Sequence, residues 1–293
     1  MTGPLGWMDR VEADALRTDR YLEALLASSE RGAADAPADA DLEAGIREVA
    51  RRLHAEAVRI HPSFRFEERL ARRLAEAAAE TRLAAAVDAS LATVKLAIAA
   101  RADLLIVHHG LFWGPSHPWT GKKYELLRLL VENNLAVYSS HLPLDAHPKL
   151  GNNAQLCAAL GLKKLRPFFP THGQTIGFKS RTEISRVKLA AKLARATGAK
   201  PRVIPGGDRI CRHIGVVTGG AGDDLKLAAA EGVDTFITGE GPHWTYALAE
   251  ELGLNVLYGG HYATEVFGVK ALASHLAQKF KMPWGFLDHP TGL

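Results

Sequence analysis

The 293-residue chain has only two cysteines, Cys157 and Cys211, and they do not form a C-x-x-C motif. This scarcity favours buried free thiols in a reducing compartment. The sequence also lacks a signal peptide and any apolar run approaching the roughly 18 residues of a membrane span. We therefore expect a cytoplasmic protein that does not enter a membrane.

Blocks of like charge are missing as well. Lys and Arg number 36 and Asp and Glu number 32, so the net charge is +4, and the basic residues are spread along the chain. A spread of this kind makes a nucleic-acid partner unlikely, because such proteins concentrate basic residues on one face. A chain of this length buries a substantial core and is predicted to fold as two lobes.

Short apolar runs that end in histidine are the main chemical signal of the sequence. The runs are 104–107, followed by His108 and His109; 136–138, followed shortly by His141; and 256–258, followed by Gly-Gly and His261. Runs of this length are typical of buried parallel strands, whose carboxyl ends are where ligands bind in open α/β sheets. One histidine beside a strand is usually a core or hydrogen-bonding residue. Three similar strand ends favour a shared site instead.

Carboxylates accompany two of these strand ends. Asp145 follows His141 by four residues, and Glu265 follows His261 by four. If a helix opens after His261, both members of the second pair lie on one helix face. Imidazole with carboxylate suits Zn, Mn, Fe(II), Co or Ni, and the number of potential ligands exceeds what one tetrahedral ion uses. We therefore predict two divalent transition-metal ions per subunit, bridged by Glu265.

Four sequence blocks carry a family resemblance. VHHGLFW, HLPLDAHPKLGNNAQL, GVDTFITGE and GGHYATEVFGVKAL occur in this order, and the match runs from about Ala84 to the C-terminus. Together they resemble the GTP cyclohydrolase I type 2-like family, also described as Nif-three-like dinuclear-metal-centre hexameric proteins. The resemblance implies an α/β fold, a two-lobed subunit with mixed sheets flanked by helices, and a homo-hexamer.

The resemblance also assigns residues. Carried over by motif, the metal ligands fall on His108, His109, Asp145, His261 and Glu265. His141 belongs to the same pattern, as a ligand or as a partner of a ligand, and is a candidate catalytic residue. Glu240, in the Thr-Gly-Glu segment, is a candidate acid/base or substrate contact; for Glu240 the simpler alternative is a carboxylate placed at a helix N-terminus.

Metal-assisted hydrolysis of a small molecule, such as a nucleotide, is the function that these features favour. If the family name applies, water attacks the purine ring of GTP between two ring nitrogens. A phosphoester hydrolase would use the same ions. A different class of function is a non-catalytic, metal-binding hexameric scaffold or regulatory binding protein. Nucleic acid threading through a ring is a third, which the modest charge disfavours.

The remaining chain is divided by pattern. Residues 1–82 read as a helical N-terminal extension that departs from the family. Residues 83–166 plus 255–293 read as the metal-binding α/β lobe, which requires the strand at 256–258 to lie beside the strand that ends in His108. Residues 167–254 read as a second α/β lobe, with a boundary where Arg166 to Pro170 breaks the pattern.

Three local features have alternative interpretations. Gly151 to Asn153 opens a helix, and Asn capping is a simpler explanation than an anion site. Gly219 to Gly222 is more typical of a tight turn than of a phosphate-cradling loop. Trp113, after the His-His pair, is either packing in a turn or a wall beside the metals.

Overall fold

A computed structural model describes residues 81–114, 118–171 and 173–292. The predicted helical N-terminal extension, residues 1–82, falls outside these ranges except for its last two residues. The described residues form two β-sheets flanked by helices, which confirms the predicted α/β fold class. No helix in these ranges combines the length and the apolar composition needed to cross a bilayer.

The strands are β1 Leu83–Asp88, β2 Leu104–His109, β3 Ala136–Ser139, β4 Arg166–Thr171, β5 Gln174–Ser185, β6 Arg202–Pro205, β7 Ile210–Val216, β8 Thr235–Thr238, β9 Asn255–Tyr258 and β10 Trp284–Phe286. The helices are α1 Leu91–Ala99, α2 Gly121–Glu132, α3 Leu142–Asp145, α4 Asn152–Leu160, α5 Arg186–Thr197, α6 Leu225–Ala230, α7 Thr245–Glu251 and α8 His261–Phe280. A 3-10 turn at Ala221–Asp224 precedes α6.

The smaller sheet is parallel throughout, in the order β10-β1-β2-β3. Helices α1 and α2 cover one face through residues such as Val94 and Leu130, and α8 covers the other through Val269. Because both faces are covered, β1 and β2 can be apolar along nearly their whole length. Their carboxyl ends lie side by side, with Asp88 in register with His109.

The larger sheet is mixed, in the order β4-β5-β7-β8-β9-β6. Strand β9 pairs in parallel with β8 and antiparallel with β6. The prediction that residues 256–258 lie beside the strand ending in His108 is therefore wrong. The division into lobes of 83–166 plus 255–293 and of 167–254 stays a prediction, although β9, assigned there to the first lobe, pairs in the second sheet.

Helix α8 makes the connection that β9 was expected to make. It starts directly after β9, and its Phe267 packs against the core of the larger sheet. Its Val269 and Ala273 are fully buried against the smaller sheet. A single helix between the two sheets therefore carries His261 and Glu265 to the ends of β1 and β2.

The pattern break at Arg166 to Pro170 is an edge strand, not a loop. Strand β4 pairs with β5 only, so Pro167 and Pro170 cost few ladder hydrogen bonds. Phe168 is fully buried in this strand and packs at 6.1 Å, between ring centroids, from Phe236 of β8. The prolines disguise the strand in the sequence.

Candidate metal centre

Two buried histidines end β2. His108 is fully buried and His109 is 4% exposed, and their ring centroids lie 4.9 Å apart. The strand stops at His109, so the alternation of side chains between faces no longer separates the two rings. Both imidazoles reach the same space between β2 and α8.

Glu265 faces three histidines from the first turns of α8. Its Oε1 lies 3.4 Å from Nε2 of His108, and its Oε2 lies 3.3 Å from Nε2 of His109 and 3.2 Å from Nε2 of His261. His261 and Glu265 are one turn apart on the helix, as their spacing predicts. One oxygen of this buried carboxylate is thus directed at His108, and the other is directed at His109 and His261.

Asp145 and His141 lie on the His108 side of this carboxylate. Asp145, at the end of α3, places Oδ2 3.4 Å from Nε2 of His108. The His141 ring lies 4.7 Å from the His108 ring and 5.2 Å from the His109 ring. Ligand atoms of His108, His109 and His141 lie within 4.8 Å of one another, as do those of His109, His261 and Glu265. Either group could hold a metal ion.

A second layer of acceptors orients three of the rings. Nδ1 of His108 is 3.1 Å from the Ser140 carbonyl oxygen, Nδ1 of His109 is 2.8 Å from Asp88 Oδ1, and Nδ1 of His261 is 2.7 Å from Glu240 Oε1. Because a carbonyl or carboxylate oxygen only accepts, Nδ1 keeps its proton in each ring. Nε2 is then the nitrogen directed at the centre in each ring, which is the usual arrangement of metal-binding histidines.

Three buried atoms at the centre are left without a hydrogen bond within the described part of the chain. They are Nε2 of His108, Nε2 of His109 and Oε2 of Glu265. Leaving a buried polar atom unpaired costs about 1–3 kcal/mol, and three such atoms converge here. A donor set of imidazole and carboxylate fits Zn, Mn, Fe(II), Co or Ni, so the residues present suit the predicted ions.

Charge is balanced by protons when no metal is bound. Burial alone would lower the pKa of His108, but the carboxylates of Asp145 and Glu265 outweigh it and raise this pKa to about 10. Burial would likewise lower the pKa of His261, but the carboxylates of Glu265 and Glu240 outweigh it and raise this pKa to about 9. Burial would raise the pKa of Glu265, yet His108 and His261 hold it at about 2. A metal ion must displace protons from these rings.

His141 differs from the other imidazoles. It is half-buried, and its pKa is lowered, first by burial and then by the positive charge of His108. No acidic group in the described ranges pairs with it in the way that Asp88 pairs with His109 or Glu240 with His261. At neutral pH it is therefore an uncharged imidazole beside the centre.

Asp88 contacts the candidate centre, although the sequence analysis did not include it. It follows the apolar strand β1 in the same way that histidines follow the other strands, and this position was the available signal. The sequence pattern by itself indicates only a residue that leads into α1. Parallel pairing brings it opposite His109, where it holds that ring.

The two asparagines at the start of α4 are clamps, and the prediction that they cap the helix is wrong. Gly151 occupies the N-cap position, with no side-chain cap. Asn152 donates to Asp145 Oδ1 at 2.9 Å and accepts from the Gly268 amide at 2.6 Å. Asn153 donates to the Ile176 carbonyl and accepts from the Thr218 amide, each at 2.7 Å. They tie the Asp145 loop to α8 and to the larger sheet.

The glycine-rich segment after β7 forms a turn against the centre, as its spacing favours. Gly219 has a φ of +72°, and a Cβ there would collide with Oε1 of Glu265. Its carbonyl oxygen accepts from the Gly239 amide at 2.8 Å and from the Thr238 hydroxyl at 3.0 Å. Only glycine fits so close to the carboxylate.

A cavity of about 240 Å³ opens beside the centre. Its lining residues are Val87, Asp88, His109, Trp113, Glu240, His261, Tyr262 and Thr291. The Trp113 ring stacks on the His109 ring, with centroids 4.0 Å apart and planes 18° from parallel, and the residue is 51% exposed. Of the two alternatives for Trp113, the structure places it as a wall of this cavity.

The structure thus gathers all seven predicted site residues in one place. His108, His109, Asp145, His261 and Glu265 face the centre, His141 lies beside it, and Glu240 holds His261. His243, three residues beyond Glu240, lines a separate cleft with Tyr246 and Tyr258.

Comparison with known proteins adds independent information. Residues 75–289 match the family model described as Duf34/NIF3 (NGG1p interacting factor 3). A protein of Deinococcus radiodurans named GTP cyclohydrolase 1 type 2 homolog is 44% identical over 214 residues, covering 72% of this chain and 81% of that protein. A protein of the same name from Halobacterium salinarum is 42% identical over 217 residues, covering 72% and 85%. Among solved structures, the protein TTHA1606 from Thermus thermophilus is similar, with a TM-score of 0.67, 40% identity, and coverage of 73% of this chain and 85% of that one.

Proposed function

This chain belongs to the Duf34/NIF3 family, and we propose that it is a hydrolase whose buried centre holds two divalent transition-metal ions. One observation carries the proposal. Three imidazole Nε2 atoms surround the two oxygens of buried Glu265, and three of the converging atoms lack any hydrogen bond in the described ranges. A set of ligands without partners, next to an open cavity, is what a catalytic metal site requires.

In this proposal Glu265 would be shared by the two ions. His108 and Asp145 would help to hold one of them, and His109 and His261 would help to hold the other. The split follows the distances of 3.2–3.4 Å between these side chains. His141 lies close enough to both His108 and His109 to add a ligand or to stay free for proton transfer.

When bound, two such ions lower the pKa of water near neutrality and polarise the bond that the water attacks. The chain's own residues do the remaining work. Asp88 and Glu240 keep His109 and His261 in the tautomer that presents Nε2. His141, uncharged at neutral pH, can accept a proton, and general acid–base groups of this kind contribute about 10²–10⁴-fold to rate.

We propose a planar heterocycle as the substrate. One face of the Trp113 ring stacks on the His109 ring, and the residue is still half exposed, so it offers a flat apolar surface at the cavity. The name GTP cyclohydrolase 1 type 2 homolog, carried by the relatives, points to the purine ring of GTP. Hydrolytic opening of such a ring is the reaction that this site would support.

The test compares metal-loaded protein with a His109→Ala, Glu265→Ala double variant, on GTP and on generic phosphoesters. We expect turnover by the native protein and loss of at least about 10³-fold in the variant, since both proposed ion positions lose a ligand. A matched double variant, His275→Ala with Glu183→Ala, changes the same residue types away from the centre and should keep full activity. Equal turnover by native protein and centre variant would end the proposal of catalysis.

A non-catalytic scaffold is the competing function. The observation that favours it is burial: His108 is fully buried and Asp145 and Glu265 are only 5% and 3% exposed. Spectroscopy of cobalt-substituted protein separates the two functions, because water in the coordination sphere favours catalysis and complete saturation by protein favours structure. The homo-hexamer implied by the family resemblance stays a prediction, which analytical ultracentrifugation can check.

A further inference from the structure

A row of basic side chains crosses three strands of the larger sheet. Arg166 of β4 lies directly opposite Lys179 of β5, and Arg181 of β5 lies directly opposite His213 of β7. Lys179 and Arg181 are two residues apart, so they point to the same face of the sheet. These four residues form what we call the basic row.

The arrangement is unfavourable in the free protein. Side chains directly opposite in an antiparallel pair have Cβ atoms about 4.5–5.5 Å apart, and like charges there destabilise the pair. Arg166 and Lys179 form such a pair, and Arg181 adds a further positive charge two residues along β5, opposite the imidazole of His213. Opposite charges on neighbouring strands stabilise a sheet, so a face that is merely solvated is expected to pair acidic with basic residues across its strands.

Compensation for this charge is incomplete. Lys179 donates to the carboxylate and the carbonyl of Glu231, at 3.0 and 2.8 Å. His213 lies 3.5 Å from Asp234. The side chains of Arg166, Arg181 and Lys164 make no hydrogen bond or ion pair with any residue in the described ranges. Three cations therefore remain available to an external anion.

The row borders a cavity of about 430 Å³. The residues that line it are Lys164, Arg166, Lys179, Ser180, Arg181, His213, Glu231 and Gly232. Glu231 is the one acidic residue among these, and its carboxylate already forms an ion pair with Lys179. The volume lies in the range of about 300–1,000 Å³ typical of small-molecule sites.

This cavity is distinct from the candidate metal centre. Glu231 and Gly232 come before β8, whereas Glu240 follows it, so the two sites lie at opposite ends of that strand. The buried part of the sheet separates them, because Phe168 on the same face as Arg166 packs in the core. The inference therefore does not depend on the proposed hydrolase activity.

We propose that the basic row binds the linked phosphate groups of a small molecule. Neighbouring strands lie about 4.8 Å apart, so a row that crosses three strands extends about 10 Å. One phosphate would meet only one cross-strand pair, whereas a di- or triphosphate can meet both. Guanidinium groups, supplied by Arg166 and Arg181, match phosphate oxygens in bidentate geometry.

The test measures binding of inorganic triphosphate to the full chain by calorimetry, with sodium chloride adjusted to equal ionic strength. The pocket variant is Arg166→Gln with Arg181→Gln. The matched control is Lys188→Gln with Arg195→Gln, two exposed cations on α5 that lose the same charge. Because triphosphate also chelates metals, a third protein carries Glu265→Gln at the metal centre.

We expect the pocket variant to bind triphosphate at least about tenfold more weakly than the native chain, with no change in the α5 control or in the Glu265→Gln protein. Equal affinity of native and pocket variant would overturn the proposal, as would an absence of binding above the salt control. Loss of binding in the Glu265→Gln protein would also overturn it, by assigning the anion to the metal centre. If the double variant does not fold, the single variants Arg166→Gln and Arg181→Gln replace it, with the same criteria.

Two further ligands identify the source of the phosphates. Tighter binding of a nucleoside triphosphate than of inorganic triphosphate supports a nucleotide, and equal binding supports the phosphate chain alone. A nucleoside monophosphate should bind at least about tenfold more weakly than the nucleoside triphosphate or inorganic triphosphate, since its single phosphate reaches only one cross-strand pair of the basic row. A monophosphate that binds as well as the triphosphate would contradict recognition of linked phosphates.

Discussion

In both the metal centre and the basic row, polar or charged side chains lie close together without forming enough favourable pairs. The two regions differ in how far these side chains are exposed to solvent. At the centre, His108, His109 and Glu265 are buried, and the atoms that converge there are shielded from solvent and lack a hydrogen bond. In the row, the side chains of Arg166 and Arg181 are exposed, so solvent and salt screen the repulsion between the positive charges. An unpaired buried atom costs far more than an exposed pair of like charges.

The two regions also differ in how much structure supports them. The centre has a second layer in Asp88, Ser140 and Glu240, and the Asn152 clamp holds Asp145. The row has only the contacts of Lys179 with Glu231 and of His213 with Asp234 in the described part of the chain. Rigid support of this kind is what an ion-binding site needs to avoid reorganisation on binding. Substitutions should therefore have large effects at the centre and small effects in the row.

Replacing the shared carboxylate tests the strongest form of this contrast. Glu265→Gln keeps the shape of the side chain but removes the charge that faces His108, His109 and His261. We expect metal affinity to fall by more than about 100-fold, beyond the range seen when only a supporting residue is lost. Elemental analysis after dialysis against a fixed free metal concentration measures the loss. Glu183→Gln, at an exposed position of β5, is the control, and equal metal content in both variants would refute a bridging role.

A smaller effect is expected one layer further out. Asp88→Asn retains an oxygen that can accept from Nδ1 of His109, now 2.8 Å away, but it removes the negative charge that makes the ring a better ligand. We expect metal affinity to fall by about 10–100-fold, measured by competition with a chromogenic chelator. Asp103→Asn makes the same change where the carboxylate accepts from the Arg82 amide. If both variants bind metal equally, Asp88 does not support the centre.

The sequence predicts the centre well because its signal is local. The histidines follow three short apolar runs, and strand ends of this kind are where ligands bind in α/β proteins, so the pairing partners need not be known in detail. His261 and Glu265 are four residues apart on one helix, which needs no tertiary information. Family blocks of sequence supplied the ligand set that local pattern alone left open.

Other features depend on contacts between distant segments and could not be predicted in this way. The sheet that receives β9 is decided by β6 and β8, more than 15 residues away in each case. Asn152 looks like a helix cap until Gly268 of α8 is seen to donate to it. Strand β4 is hidden because Pro167 and Pro170 are acceptable only at an edge, and edge position is a property of the whole sheet.

Two glycine-to-alanine substitutions compare a crowded position at the centre with an uncrowded position elsewhere. Gly219→Ala forces a Cβ onto a residue with φ of +72°, where it meets Oε1 of Glu265. Gly198→Ala, with φ of +76°, meets nothing within 4 Å. Each change costs about 1–2 kcal/mol for the left-handed backbone, and only the first should also weaken metal binding. Chemical denaturation with and without metal measures both. A stabilisation by metal that is the same in both variants would mean that Gly219 does not shape the centre.

The smallest effect is expected in the basic row and has the opposite sign. Arg166→Gln removes one member of the like-charged pair with Lys179 and should stabilise the free protein by about 0.2–1 kcal/mol at low salt. The gain should shrink as salt is raised, because the Debye length falls from about 30 Å at 0.01 M to about 3 Å at 1 M. A gain from strand propensity would not depend on salt, so urea unfolding at both salt concentrations separates the two causes. Destabilisation by this substitution would show that Arg166 makes a net stabilising contribution to the free protein. The repulsion inferred for the row would then be wrong.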